Sequence, residues 1–249
     1  MNNKDWWKVD NLKKSEDRIR NIDNFDNSED HGDFGSYKKI LNGASLENTS
    51  LATHNDLSSK NKIIYIDKLI KTNKNKRLQI LDAGCGAGFT ANELSIFYNN
   101  SNVVGVDIST DGIKYAQKNF SNVKFICQGI DPKNQPIGEF DLIYCFEFYP
   151  FTRTNSLEDH KEYLIYFLSQ LKKNGKLILH QRWENKDSIS SNIDLIEKEL
   201  IKYQFTINRV PHAKIISLFK FRNISLFLDI IIRLILRKDH MKTIIISKK

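Results

Sequence analysis

The stretch LQILDAGCGAGFT, residues 78–90, runs from an apolar segment through three glycines spaced two apart and into a helix-forming segment. An apolar run closed by a glycine turn reads as a buried strand that delivers the chain into a helix. Glycines at such a junction let a ligand approach the backbone closely, and the helix N-terminus offers amide donors. Asp82 stands just before the glycines, and a second carboxylate, Asp107, ends the next apolar run, NVVGVD (102–107). A carboxylate at that place suits both hydroxyls of a ribose. Together the two features describe a nucleoside-bearing ligand at the carboxyl ends of the first two strands.

Outward from this stretch the same rhythm continues. Further apolar runs are VKFICQ (123–128), FDLIYCF (140–146) and GKLILHQ (175–181), and helical patterns fall at about 89–99, 109–120 and 158–172. Strands alternating with helices of this length imply a mainly parallel sheet covered on both faces, a doubly wound α/β fold. Upstream, Ile63, Ile64, Ile66, Leu69 and Ile70 predict a helix to about residue 72 behind a cap at Ser58 or Ser59. Downstream, a helix at about 190–203 precedes the strands FTINRV (205–210) and KTIIISK (242–248), which suit an antiparallel pair at the sheet edge with 211–240 inserted.

The chain has 249 residues, 40% hydrophobic and 27% charged, enough for one α/β domain with a buried core, and its composition excludes collagen-like and wholly disordered classes. The net charge of +8 is uneven: residues 1–35 carry 6 basic and 9 acidic side chains, so the body is basic and favours an anionic ligand. Residues 1–56, polar and without a sustained period, are expected as an N-terminal lid or mobile segment, and 57–249 as the main domain. Cys85, Cys127 and Cys145 lack metal-ligand spacing and read as reduced thiols of a cytoplasmic protein, with no metal expected. No secretory leader is visible, and Lys220, Arg222, Asp229 and Arg233 interrupt the most apolar region, against a membrane span. Segment 211–240 either buries against the sheet edge or a dimer partner, or touches a membrane surface or the acceptor; the chain is expected as a monomer or homodimer.

The loop is D-x-G-x-G-x-G and not the G-x-G-x-x-G of dinucleotide binders. The string LDAGCGAGFT resembles motif I of the class I S-adenosylmethionine-dependent methyltransferases, and the resemblance runs over about residues 58–210 and the last strand. It implies a Rossmann-like sheet of seven strands in the order 3-2-1-4-5-7-6 and S-adenosyl-L-methionine as cofactor. Asp82 and the loop Gly84, Cys85, Gly86 and Gly88 would then hold the methionine end, Asp107 the ribose, and Ile108 one face of the adenine. CQGID (127–131) resembles the segment at the adenine edge, through Gly129 with Ile130 or Asp131. FDLIYCFEF resembles motif IV, which implies Cys145 and Glu147 near the methyl group.

On the acceptor side, methyl transfer needs a base only where the acceptor must lose a proton. His180, at the end of GKLILHQ, is the candidate general base at the rim of the cleft. Glu147 is the candidate for orienting the acceptor or binding the cofactor's ammonium. Arg153, in FYPFTRT (148–154), with Arg182 suits a phosphate. Tyr149 and Phe151 either line the pocket or pack the loop onto the sheet. His31, His160 and His212 read as surface histidines, and Tyr37 and His54 as contacts of the lid. The layout resembles, more weakly, bacterial methyltransferases of surface carbohydrates, which implies O-methylation of a small anionic acceptor: phosphorylated, phosphoramidate or a nucleotide-linked sugar of a capsule precursor. The single proline in YCFEFYPF and the absence of a basic aromatic cluster argue against nucleic acid. RNA methylation, an NAD-dependent dehydrogenase and a non-catalytic adenosyl-binding module stand as alternatives.

Overall fold

A computed structural model of the chain describes residues 32–49, 56–73, 75–152, 154–181, 189, 192–200, 205–211 and 242–248. The strands are β1 (Gln79–Ala83), β2 (Asn102–Asp107), β3 (Lys124–Cys127), β4 (Phe140–Phe146), β5 (Leu171–Gln181), β6 (Phe205–Pro211) and β7 (Lys242–Lys248). They form one sheet in the order β3-β2-β1-β4-β5-β7-β6. The first five pair in parallel, and β7 pairs antiparallel with both β5 and β6.

Six α-helices are described, α1 (Gly32–Leu41), α2 (Asp56–Ile70), α3 (Phe89–Phe97), α4 (Thr110–Asn119), α5 (Leu157–Ser169) and α6 (Ile193–Leu200), with a short 3-10 helix at Leu46–Asn48. Because strand side chains alternate, β1 sends Leu81 and Ala83 to one face and Ile80 and Asp82 to the other. On the first face Leu81, Ala83, Ile143, Cys145, Leu177 and Leu179 meet Leu164 and Phe167 of α5 and Ile193 and Ile196 of α6. On the second, Ile80, Leu142, Tyr144 and Ile178 meet Ile63 and Ile66 of α2, Leu94 of α3 and Ile113 of α4. Two buried faces explain why these strands read as nearly continuous apolar runs. Serines start two helices: Ser109 Oγ accepts from the Gly112 amide at 3.1 Å, and Ser156 Oγ accepts from the Asp159 amide at 3.2 Å.

Boundaries differ from expectation in two places. α2 begins at Asp56, so Ser58 and Ser59 lie within the helix and not at its cap. β5 begins at Leu171, opposite Phe140, and its register then jumps so that Lys176 faces Leu142. Asn174 in the interruption has φ +63°. The Asn-Gly pair there marks a bulge within the strand and not its start. At the amino ends of the strands Asp141 accepts from the Gln79 amide at 2.9 Å and pairs with Lys76 and Lys172, each at 3.1 Å. Partial burial pushes its carboxyl up, but these donors together hold it below the usual range. This ion cluster ties β1, β4 and β5 at the end away from the glycine loop.

Candidate active site

The site lies where β1, β2 and β4 end. The turn after β1 carries Gly84, Gly86 and Gly88 at φ +74°, +53° and +84°. A side chain on Gly88 would stand 2.7 Å from Ala116 Cβ and 2.8 Å from the Phe125 ring, so α3 starts against α4 and β3 only with glycine there.

The amides of this loop are turned inward. Gly84 and Cys85 donate to the Val106 carbonyl at 2.8 and 3.1 Å, and Gly88 donates to Cys85 O at 2.9 Å. Gly86 donates to Asp107 Oδ2 at 2.8 Å, and Ser109 donates to Asp107 Oδ1 at 2.7 Å. The expected loop donors at Gly84 and Gly86 are therefore taken by the protein. The carboxylate of Asp107 is instead oriented by two amides at the sheet edge.

Asp82 is 1% exposed, and its Oδ2 has no hydrogen-bond partner. Burial and, after it, the charge of Asp107 push its carboxyl up to about 7, against a hydrogen bond from the Ala91 amide. A buried acid lacking a partner on one oxygen and facing a second acid is suited to a cation.

Several residues assigned to the ligand from the sequence have side chains that pack into the core or close local turns. Cys145 packs in the core beside Ala83, Ile143 and Leu179, and burial pushes its thiol well up. The Cys85 thiol is buried beside Gly105, also pushed up by burial and then by Asp107 and Asp82. Neither thiol is a nucleophile in this setting. Ile130 belongs to the core, and its carbonyl accepts from the Tyr163 hydroxyl at 3.1 Å. Asp131 Oδ1 accepts from the Lys133 amide at 2.9 Å and closes its own turn. Gly129 is buried, and Ile108, next to Asp107, is half-buried, its carbonyl 3.8 Å from the exposed Cys127 thiol.

At the end of β4, Glu147 adopts φ +53° and donates its amide to the His180 carbonyl at 2.9 Å. A glutamate in the left-handed region is strained, a condition concentrated at functional sites. Phe148 follows: a side-chain carbon on Gly84 would stand 2.9 Å from its ring, so this aromatic roofs the glycine turn. Sequence reasoning passed over Phe148, whose signal was its place directly after the motif IV acid. Tyr149 and Phe151 are buried, and Phe151 belongs to the core, which favours loop packing over pocket lining.

His180 is not at the rim. It is 2% exposed, its Nδ1 lies 2.9 Å from Thr243 Oγ1, and its ring meets Phe146 at 5.0 Å. The pairing of β5 with β7, already part of the expected strand order, sets Thr243 opposite His180 and closes that side. His160 is likewise not a surface residue: it is fully buried, its Nε2 is 3.2 Å from the Pro150 carbonyl and its Nδ1 3.1 Å from Asn192 Nδ2. Burial holds it below the ordinary histidine range, so a neutral ring latches the loop after β4 to the turn before α6. Arg153, Arg182, His31, His54, His212 and residues 212–241 lie outside the described residues. Among the described residues no group of acids, histidines or cysteines forms a metal site, and no helix is long and apolar enough to cross a membrane.

A family model described as a methyltransferase domain matches residues 74–244. The chain belongs to this methyltransferase family. Among curated relatives, the putative methyltransferase 235L of Invertebrate iridescent virus 6 is 34% identical over 103 residues, 39% of this chain and 36% of the relative. The ubiquinone biosynthesis O-methyltransferase of Rickettsia prowazekii (strain Madrid E) is 28% identical over 125 residues, 47% of this chain and 46% of the relative. The methyltransferase chain thus spans less than half the length of the curated relatives it matches. Among solved structures, the plantazolicin methyltransferase BpumL, in complex with a monoazolic desmethylPZN analog and SAH, superposes with a TM-score of 0.59 at 17% identity, covering 96% of this chain and 98% of that one. Magnesium protoporphyrin IX methyltransferase (ChlM) from Synechocystis PCC 6803 with bound SAM gives 0.57 at 16% identity, covering 94% and 97%. At these identities the likeness is one of fold.

Proposed function

We propose that this methyltransferase moves the methyl group of S-adenosylmethionine to an oxygen of a small anionic acceptor. The donor half is carried by one observation: Asp107 is oriented by the Gly86 and Ser109 amides at the tip of β2, with the buried, half-bonded Asp82 beside it. The residues fit the donor, which brings a ribose diol to Asp107 and an ammonium and a sulfonium to an acidic edge. When bound, S-adenosylmethionine supplies an electrophilic methyl group. The chain's part is positional: Asp107 accepts from the ribose, Asp82 favours the cationic end, and Phe148 over Gly84 excludes water.

The acceptor reading follows from the histidines. His160 and His180, the two within the described residues, are both buried, which leaves Glu147 as the carboxyl on the methyl side. An oxygen that is already ionised needs no base, so a phosphate or phosphoramidate oxygen suits this edge better than a sugar hydroxyl. Arg153 and Arg182 are the cations assigned to that anion from the sequence, and a phosphorylated or nucleotide-linked sugar of a surface-polysaccharide precursor is the acceptor class that FYPFTRT supports. Calorimetric titration with S-adenosylhomocysteine is expected to show binding that Asp107→Ala abolishes; absence of binding overturns the donor half. Labelled-methyl transfer across phosphorylated sugars, nucleotide sugars and RNA tests the acceptor, and transfer to RNA alone overturns it.

A further inference from the structure

Helix α1 packs on the glycine turn and on α4. Ile40 is buried with Ala87 and Phe89, beside Leu46, Tyr115 and Phe120. Phe89 lies 5.8 Å from Tyr115 and 5.7 Å from Phe120, centroid to centroid, so the helix rests on an aromatic platform. That platform places Tyr37, about one turn before Ile40, over the loop: a side-chain carbon on Gly86 would overlap the Tyr37 hydroxyl. Gly86 is thus glycine for two reasons, its φ of +53° and the phenol that occupies the space of a side chain.

The polar groups nearby make the position of this hydroxyl informative. Asp82 and Asp107 are both acids, and the amides of Gly84, Cys85, Gly86 and Gly88 donate to protein acceptors. The amino-acid end of S-adenosylmethionine carries a carboxylate as well as an ammonium. Two acids disfavour that carboxylate, and a hydrogen-bond donor aimed at the turn offsets them. We propose that Tyr37 is a donor-binding residue, its hydroxyl donating to the carboxylate at the amino-acid end of S-adenosylmethionine. The inference rests on the donor reading above and adds to it a residue outside the sheet, which makes α1 part of the binding site.

Titration of the full chain and of Tyr37→Phe with two ligands tests it: S-adenosylhomocysteine, and 5′-methylthioadenosine, which keeps the adenosine and the sulfur but lacks the amino-acid end. Tyr37→Phe is expected to bind S-adenosylhomocysteine about 10-fold more weakly and 5′-methylthioadenosine as tightly as the unaltered chain. The phenyl ring keeps the packing of α1, so the melting midpoint is expected within a few degrees of the unaltered chain's. Unchanged affinity for S-adenosylhomocysteine, or an equal loss for both ligands, overturns the assignment of Tyr37. Failure of the unaltered chain to bind either ligand overturns the donor reading itself.

Discussion

The Gly86 amide donates to Asp107 Oδ2 at 2.8 Å, which ties the turn after β1 to the tip of β2. The carboxylate is thereby oriented before any ligand arrives, and the loop is braced by the same bond. Asp107→Asn turns an amide donor toward the Gly86 N–H, so it disturbs both functions. Affinity for S-adenosylhomocysteine is expected to fall about 10-fold or more by calorimetry, with a melting midpoint lower by a few degrees.

Asp82 makes stability and donor affinity respond oppositely to pH. Its carboxyl is raised from an ordinary value of 3.8 to about 7, so folding takes up a proton between those limits. Its stabilising contribution is fully present below about pH 4 and lost as pH rises through 7. In the absence of ligand, Asp82→Asn is expected to melt above the unaltered chain at pH 8, with the gap closing toward pH 4. The sulfonium and ammonium of S-adenosylmethionine favour the ionised acid, so affinity for S-adenosylmethionine should strengthen between pH 5.5 and 8 in the unaltered chain and not in the variant. A variant that melts lower at pH 8 and keeps the pH-dependent affinity contradicts this reading.

Gly88 and Gly43 separate backbone strain from crowding. Both have positive φ, +84° and +94°, but a side-chain carbon on Gly43 meets nothing within 4 Å. Gly43→Ala is expected to cost about 1 kcal/mol from the left-handed backbone alone. Gly88→Ala adds overlap with Ala116 and Phe125, for roughly 2–4 kcal/mol in all. Urea titration of the two variants measures the difference.

For His180 the structure assigns packing and a hydrogen bond to β7. His180→Asn, which keeps a polar atom near Thr243, is expected to lower unfolding free energy by about 1–3 kcal/mol while turnover at saturating substrates stays within about 5-fold. A 100-fold fall in turnover in a variant that stays folded would restore the general-base role.

The chain's order of strands and helices was readable from residues alone, because it depends on local spacing. NVVGVD, FDLIYCF and KTIIISK match β2, β4 and β7 residue for residue, and the glycine loop with Asp82 and Asp107 stands at the strand ends where that spacing put it. The bulge at Asn174 was missed because a lone Asn-Gly pair reads as a strand boundary; only pairing of Leu171 with Phe140 shows that the strand begins earlier.

What tertiary structure alone decided is which way side chains and amides point. His180 reads as a rim residue until β7, whose Thr243 is 63 residues away in sequence, covers it. Cys145 faces the core by strand alternation in β4, and Ile130, in the loop after β3, packs into the same cluster. The glycine turn supplies the shape of a binding loop, yet its amides bond to Val106 and Asp107, a fact about two neighbouring strand ends that no local pattern encodes. Tyr37 meets Gly86 only because α1 packs on α4 and on the glycine turn. Local spacing determines the elements and the position of the acids; long-range burial determines which of the expected groups are left to meet a ligand.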